Sequence, residues 1–171
     1  VFRGADGQPE LEIDYAVPAN ELVFDGQGAA LETAVVLFDE DWQEVIKVIE
    51  EQIINVVSGA NRTYQVAMYR RTIPIPIGPH HFALHITDAG TQRSGISRQP
   101  LHVIGYDPNQ LGMSDVRLVS GIDPATEGPF TRSGRRLIPN PAGVFSLAKP
   151  VMLYFEIYNL SKNTEGRTHL S

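Results

Sequence analysis

Short runs in which apolar and polar residues alternate, separated by Gly, Pro, Asn and Asp, recur along the chain. From Glu10 to Val17, the residues Leu11, Ile13, Tyr15 and Val17 share one face, and Glu10, Glu12 and Asp14 the other. A period of two marks a half-buried strand. Pro18 ends it, Glu21 to Phe24 reads as a short second strand, and Asp25-Gly26-Gln27-Gly28 as a turn. Leu31 to Phe38 is apolar on both faces, as in the middle of a packed sheet. The run Trp42 to Val57 fits a helix capped by Asp41 or one long or bent strand after an Asp39-Glu40-Asp41 hairpin turn. After Trp42 its apolar residues are all Val or Ile, which favours the strand.

Ser58 to Arg62 reads as a loop and Tyr64 to Ile73 as the next strand. The three prolines Pro74, Pro76 and Pro79 make an extended crossover or an edge, because proline cannot donate to a ladder. Phe82, Leu84 and Ile86 alternate with His81, His85 and Thr87 in a further strand. Asp88-Ala89-Gly90 begins a turn, and Gly95 to Ile104 returns. About seven strands thus precede residue 106, without the alternating helices of a parallel α/β fold. Met113 to Ile122 and Val151 to Leu160 are strand-like, with a loop over Asp123 to Gly134 and a rigid turn at Pro139 to Gly143. The expectation is an all-β chain: an immunoglobulin/fibronectin-like β-sandwich over 1–106, a linker over 107–112, and an incomplete second β module over 113–171. Three or so strands are too few for an independent sandwich.

The chain has 171 residues, a formal net charge of −6 and no cysteine. The acidic balance argues against nucleic acid as a partner, and the lack of cysteine removes thiolate metal sites, disulfides and thiol nucleophiles. No apolar run approaches the length of a membrane span. Both ends read as cuts in a longer polypeptide.

Candidate chemistry is sparse. His81 and His85 would lie about 13 Å apart along one strand, too far to share one zinc ion. Asp39, Glu40 and Asp41 lack the spacing of a calcium loop. Glu50 and Glu51 point to opposite faces of a strand and make no acid/base pair. Gly26-Gln27-Gly28 lacks the rest of a phosphate loop, and no Gly-x-Ser-x-Gly elbow is present. Asn61-Arg62-Thr63 and Asn159-Leu160-Ser161 match the short glycosylation pattern, which arises by chance. The candidate interaction surface comprises the basic Arg132, Arg135 and Arg136 with Tyr154 and Tyr158, which lie opposite Phe155 on a strand. One set of these aromatics faces the core, and the other would be where a partner or missing strand docks.

Three segments together resemble a known family. They are Phe2-Arg3-Gly4-Ala5-Asp6-Gly7 with Leu11 to Pro18, Ile77-Gly78-Pro79-His80-His81-Phe82 running on to Asp88, and Pro139-Asn140-Pro141 leading to Val151 to Leu160. They resemble the C-terminal β-rich region of bacterial GWxTD-domain proteins. The Gly-Trp-x-Thr-Asp signature itself is absent, and Trp42 sits in Asp41-Trp42-Gln43 instead. The resemblance implies an exported or envelope-associated bacterial protein and transfers no catalytic residue. The expected function is a non-enzymatic structural or protein-interaction module without a cofactor, located in the periplasm or cell envelope. Its partner would be another protein, other domains of the same polypeptide, or a second copy paired through an open β edge. A carbohydrate-binding or accessory module of a larger enzyme is the alternative.

Overall fold

The computed structural model describes residues 1–25, 28–55, 65–148, 150–161 and 168. Among them every regular element is a β-strand except one 3-10 turn at Ala19–Glu21. The fold is all-β, built of antiparallel sheets of sandwich type. The first seven strands are β1 (Phe2–Arg3), β2 (Pro9–Pro18), β3 (Ala29–Phe38), β4 (Glu44–Ile54), β5 (Val66–Pro74), β6 (Gly78–Asp88) and β7 (Ser94–Val103). Then follow β8 (Gly112–Met113), β9 (Arg117–Pro124), β10 (Thr131–Arg132), β11 (Arg135–Pro139), β12 (Met152–Tyr154) and β13 (Ile157–Tyr158).

The chain divides into two compact units drawn from non-contiguous segments. Val1–Tyr15, Tyr69–Pro76 and Ile104–Ser171 form the first, and Ala16–Met68 with Ile77–Val103 the second. The expected partition at 107–112 follows chain order, whereas Ile104–Ser171 shares its unit with the N-terminal strand.

In the second unit β4, β3, β6 and β7 lie side by side in that order. The inner face of β3 carries Ala29, Leu31, Val35 and Leu37, all nearly inaccessible, with Phe82 and Leu84 beside them on β6. The Trp42 to Val57 run is a strand over Glu44–Ile54, as its branched side chains suggest. Val56 and Val57 lie outside the described residues, as do Gly26, Gln27 and 58–64 with the loop expected there. The hairpin into β4 is held by Asp39, whose Oδ1 accepts the N–H groups of Asp41 at 3.0 Å and Gln43 at 2.8 Å. At the other end of the sheet, Gly28 closes a bridge with Asp25. It sits at φ 129°, and a Cβ there would lie 2.7 Å from the Ile54 carbonyl oxygen. Only glycine fits.

Two expectations are corrected. Glu21 to Phe24 is not a strand: Pro18 leads into the 3-10 turn, Leu22 is buried, and the Val23 N–H donates to Asp88 Oδ2. The loop expected over Asp123 to Gly134 contains the end of β9 and a hairpin pairing Arg132 with Arg135. Its turn residues Ser133 and Gly134 have φ 48° and 75°, the positive pair that a tight two-residue hairpin requires. The strand-like stretches Met113 to Ile122 and Val151 to Leu160 each contain strand but are interrupted. At the break, the Ser114 N–H donates to the Glu156 carbonyl oxygen and the Glu156 N–H to Ser114 Oγ, each at 2.9 Å. On one side of this pair β12 runs against β9, and on the other β13 runs against β8.

Candidate interaction surfaces

The first unit contains a concentration of charge that the sequence pattern disguises. Glu12 and Asp14, on the polar face of β2, have side chains only 5% and 12% exposed. Arg117 on β9 reaches Glu12 Oε2 at 2.6 Å, and Arg132 on β10 reaches Glu12 Oε1 at 2.6 Å. Arg70 on β5 grips both oxygens of Asp14 at 2.8 and 3.1 Å and donates to the Phe130 carbonyl oxygen. The guanidinium groups of Arg117 and Arg132 both lie over the Phe2 ring, at 4.6 and 4.4 Å from its centroid.

Glu156 is the second anchor. Tyr154 ends β12, Tyr158 lies on β13, and both hydroxyls converge on Glu156 at the break between the two strands. Arg132 binds Glu156 with Nε to Oε1 at 2.9 Å and Nη2 to Oε2 at 3.0 Å. Ser133 and Tyr154 donate to Oε1, and Tyr158 to Oε2, each at 2.7 Å. A carboxylate offers about four lone-pair sites, and these donors fill them. Burial alone would raise the Glu156 pKa, but the hydrogen bonds from Arg132, Ser133, Tyr154 and Tyr158 lower it from 4.5 to about 2. Burial, then the hydrogen bond to this anion, pushes Tyr154 up to about 12. Burial opposes the charge on Glu12 too, and Arg117, Arg70 and Arg132 outweigh it, so its pKa falls. Glu12 and Glu156 are therefore ionised at neutral pH, and both are bonded to the Arg132 guanidinium. The constellation can hold strands together.

Of the five residues expected to form an interaction surface, Arg132, Tyr154 and Tyr158 belong to this cluster. Arg135 and Arg136 are exposed, and Arg136 pairs with Asp123 at 3.1 Å. The tyrosines face inward because their hydroxyls serve Glu156, and Phe155 is the outward aromatic at 43% exposure. Asn159 is spent on internal bonds to Arg3, Asp107 and Gln110.

The second unit presents the opposite kind of surface. The outer face of its sheet exposes Val45, Ile49 and Ile53 on β4 and Ile96 on β7, with Ala34 and His85 in the row between Ile49 and Ile96. Trp42, in the hairpin turn, is 58% exposed at φ 60°, a conformation that bulky residues rarely adopt. Its indole stacks on His81 at 3.9 Å with the rings 6° from parallel, and Phe38 lies 5.9 Å away. A small pocket of about 160 Å³ beside it is lined by Trp42, His81, Phe82, Arg98, Gln99 and Pro100. His85 lies on the same face, within 3.5 Å of the Thr87 hydroxyl, while His80 is buried on the other. Among the described residues no group of three or more His, Asp or Glu is arranged to hold a metal ion. No helix there is long and apolar enough to cross a membrane.

Comparison of the chain with models of known families gives no match, and comparison with curated proteins and with solved structures gives no significant one.

Proposed function

We propose that the chain is a non-enzymatic structural or protein-interaction module, of immunoglobulin/fibronectin-like sandwich type, from an exported bacterial protein. The observation that carries this reading is the outer face of the four-stranded sheet. Val45, Ile49, Ile53 and Ile96 are all more than two-fifths exposed there, interspersed with the charged Lys47 and Glu51. Exposed large apolar side chains grouped on one face with polar neighbours mark contact sites. The charged cluster supports it from the other side, because its carboxylates and guanidiniums are engaged with one another. The resemblance to the β-rich region of GWxTD-domain proteins is the ground for a periplasmic or envelope location. The test is a broad panel of hydrolase substrates with the purified chain. The reading expects no turnover above that of buffer; reproducible turnover that survives repurification contradicts it.

A second reading, a carbohydrate-binding or accessory module, is favoured by Trp42. An exposed indole held in a strained turn, with Arg98 and Gln99 beside it, has the parts of a sugar platform. Binding to a glycan array that Trp42→Ala abolishes would establish it, and a blank array removes it.

A further inference from the structure

We infer that β4 is the seam of a symmetric homodimer in which two copies pair edge to edge, antiparallel, about Ile49. The inference deepens the interaction-module reading by naming the partner as a second copy of this chain.

Edges decide where sheets can grow. β4 ends its sheet, and among the described residues no strand lies on its side away from β3. Natural proteins blunt such edges with short strands, proline, charges or bulges. β4 carries a bulge only at its start, opposite Leu37 and Phe38, and its outer-face charges Lys47 and Glu51 are of opposite sign. The edge strands β1, β10 and β12 have only two or three residues. The longer β5 and β7 contain Pro74 and Pro100. By contrast β4 runs for 11 residues, rich in Val and Ile, with no proline.

Its sequence is self-complementary in one register. A two-fold axis through an antiparallel pair sets one residue opposite itself. Centred on Ile49, the outer face pairs Ile49 with Ile49, Val45 with Ile53, and Lys47 with Glu51 of the second copy, the last two twice by symmetry. Centring on Val48 would set Val45 against Glu51, and centring on Glu50 would set Ile49 against Glu51. On the outer face, opposite charges meet and apolar meets apolar only about Ile49, while the inner face sets Val48 against Glu50.

The isolated sheet also carries a mismatch that this register relieves. Glu51 stands directly opposite Glu32 on β3, and both are exposed. Like charges facing each other across strands are destabilising. Lys47 of the second copy would flank Glu51 on its other side and offset one of the two negative charges. The apolar residues of β4, exposed by 41% at Val45, 53% at Ile49 and 58% at Ile53, would meet their counterparts across the seam, with the Lys47–Glu51 pairs between them.

Sedimentation velocity of the full chain, with Lys47→Glu and Glu51→Lys each alone and then mixed in equal amounts, tests the proposal. Wild type is expected to dimerise at roughly 100 µM, a modest affinity in keeping with one strand pair. Either single reversal sets like charges against each other and should weaken the dimer by about tenfold or more. The mixture should regain it, because positions 47 and 51 of one variant then face opposite charges at positions 51 and 47 of the other. A wild-type chain that stays monomeric overturns the proposal, as does a dimer indifferent to both reversals or a mixture that regains nothing. None of these outcomes depends on turnover, so the module reading stands or falls separately on the substrate panel.

Discussion

At the scale of single residues, Arg132 and Glu156 carry the sharpest lesson. An arginine in a Gly/Ser stretch and a glutamate in an aromatic strand each look like solvated charge. Their burial comes from partners remote in the chain: Arg132 meets Glu12, 120 positions away, as well as Glu156, 24 positions away. No local pattern contains those distances. The legible part was that Tyr154 and Tyr158 lie opposite Phe155, with one set facing inward; which set it is, and the role of Glu156 between the tyrosines, were not. Removing the Glu156 charge by Glu156→Gln leaves Arg132 with Glu12 but without its bidentate partner. Breaking a buried ion pair from one side costs about 3–5 kcal/mol. Urea unfolding should show a loss in that range, whereas Arg136→Ala, on an exposed pair, should cost under about 1 kcal/mol.

The β4 strand and its hairpin show what is decided by whole elements. Helix and strand competed over Trp42 to Val57, and valine and isoleucine settled it because their branched side chains fit a pleated surface. The strand at Leu31 to Phe38 was equally plain, since both of its faces are apolar. The broken strands were not legible: the change of partner at Ser114 and Glu156 depends on two backbones meeting, and neither segment alone carries a breaker. Asp39 holds the β3–β4 turn through two accepted hydrogen bonds. Asp39→Ala should therefore cost about 1–2 kcal/mol by urea denaturation, while Asp39→Asn, which keeps an accepting oxygen, should recover most of it.

For the whole molecule, the charge cluster sets the pH range of stability. The folded pKa of Glu156 lies near 2, below its ordinary 4.5, so the unfolded chain binds the proton more readily. The stabilisation is complete above the ordinary value and drains away as pH falls from about 5 toward 2, with Glu12 adding in the same direction. At the alkaline end the sign reverses. Tyr154 and Tyr106 are raised from 10 to about 12, Tyr106 chiefly by burial and then by Tyr158. The folded state holds those phenolic protons more tightly, so stability is full below pH 10 and declines as pH rises from 10 toward 12. Thermal melts across pH should show a plateau between these windows, with a steeper acid limb in wild type than in Glu156→Gln. The all-β class was readable from alternation and turns, but the two units were not. They assemble from segments that the chain separates, and a reading that follows chain order has no access to that.

The most direct test of an interaction module built on this sheet is hydrogen exchange of the chain at low and high concentration. The account predicts that concentration slows exchange at alternate amides of Glu44–Ile54, those facing away from β3, and leaves the amides of β7 unchanged. Exchange in β4 that is fast and independent of concentration, or protection that develops elsewhere, would contradict it.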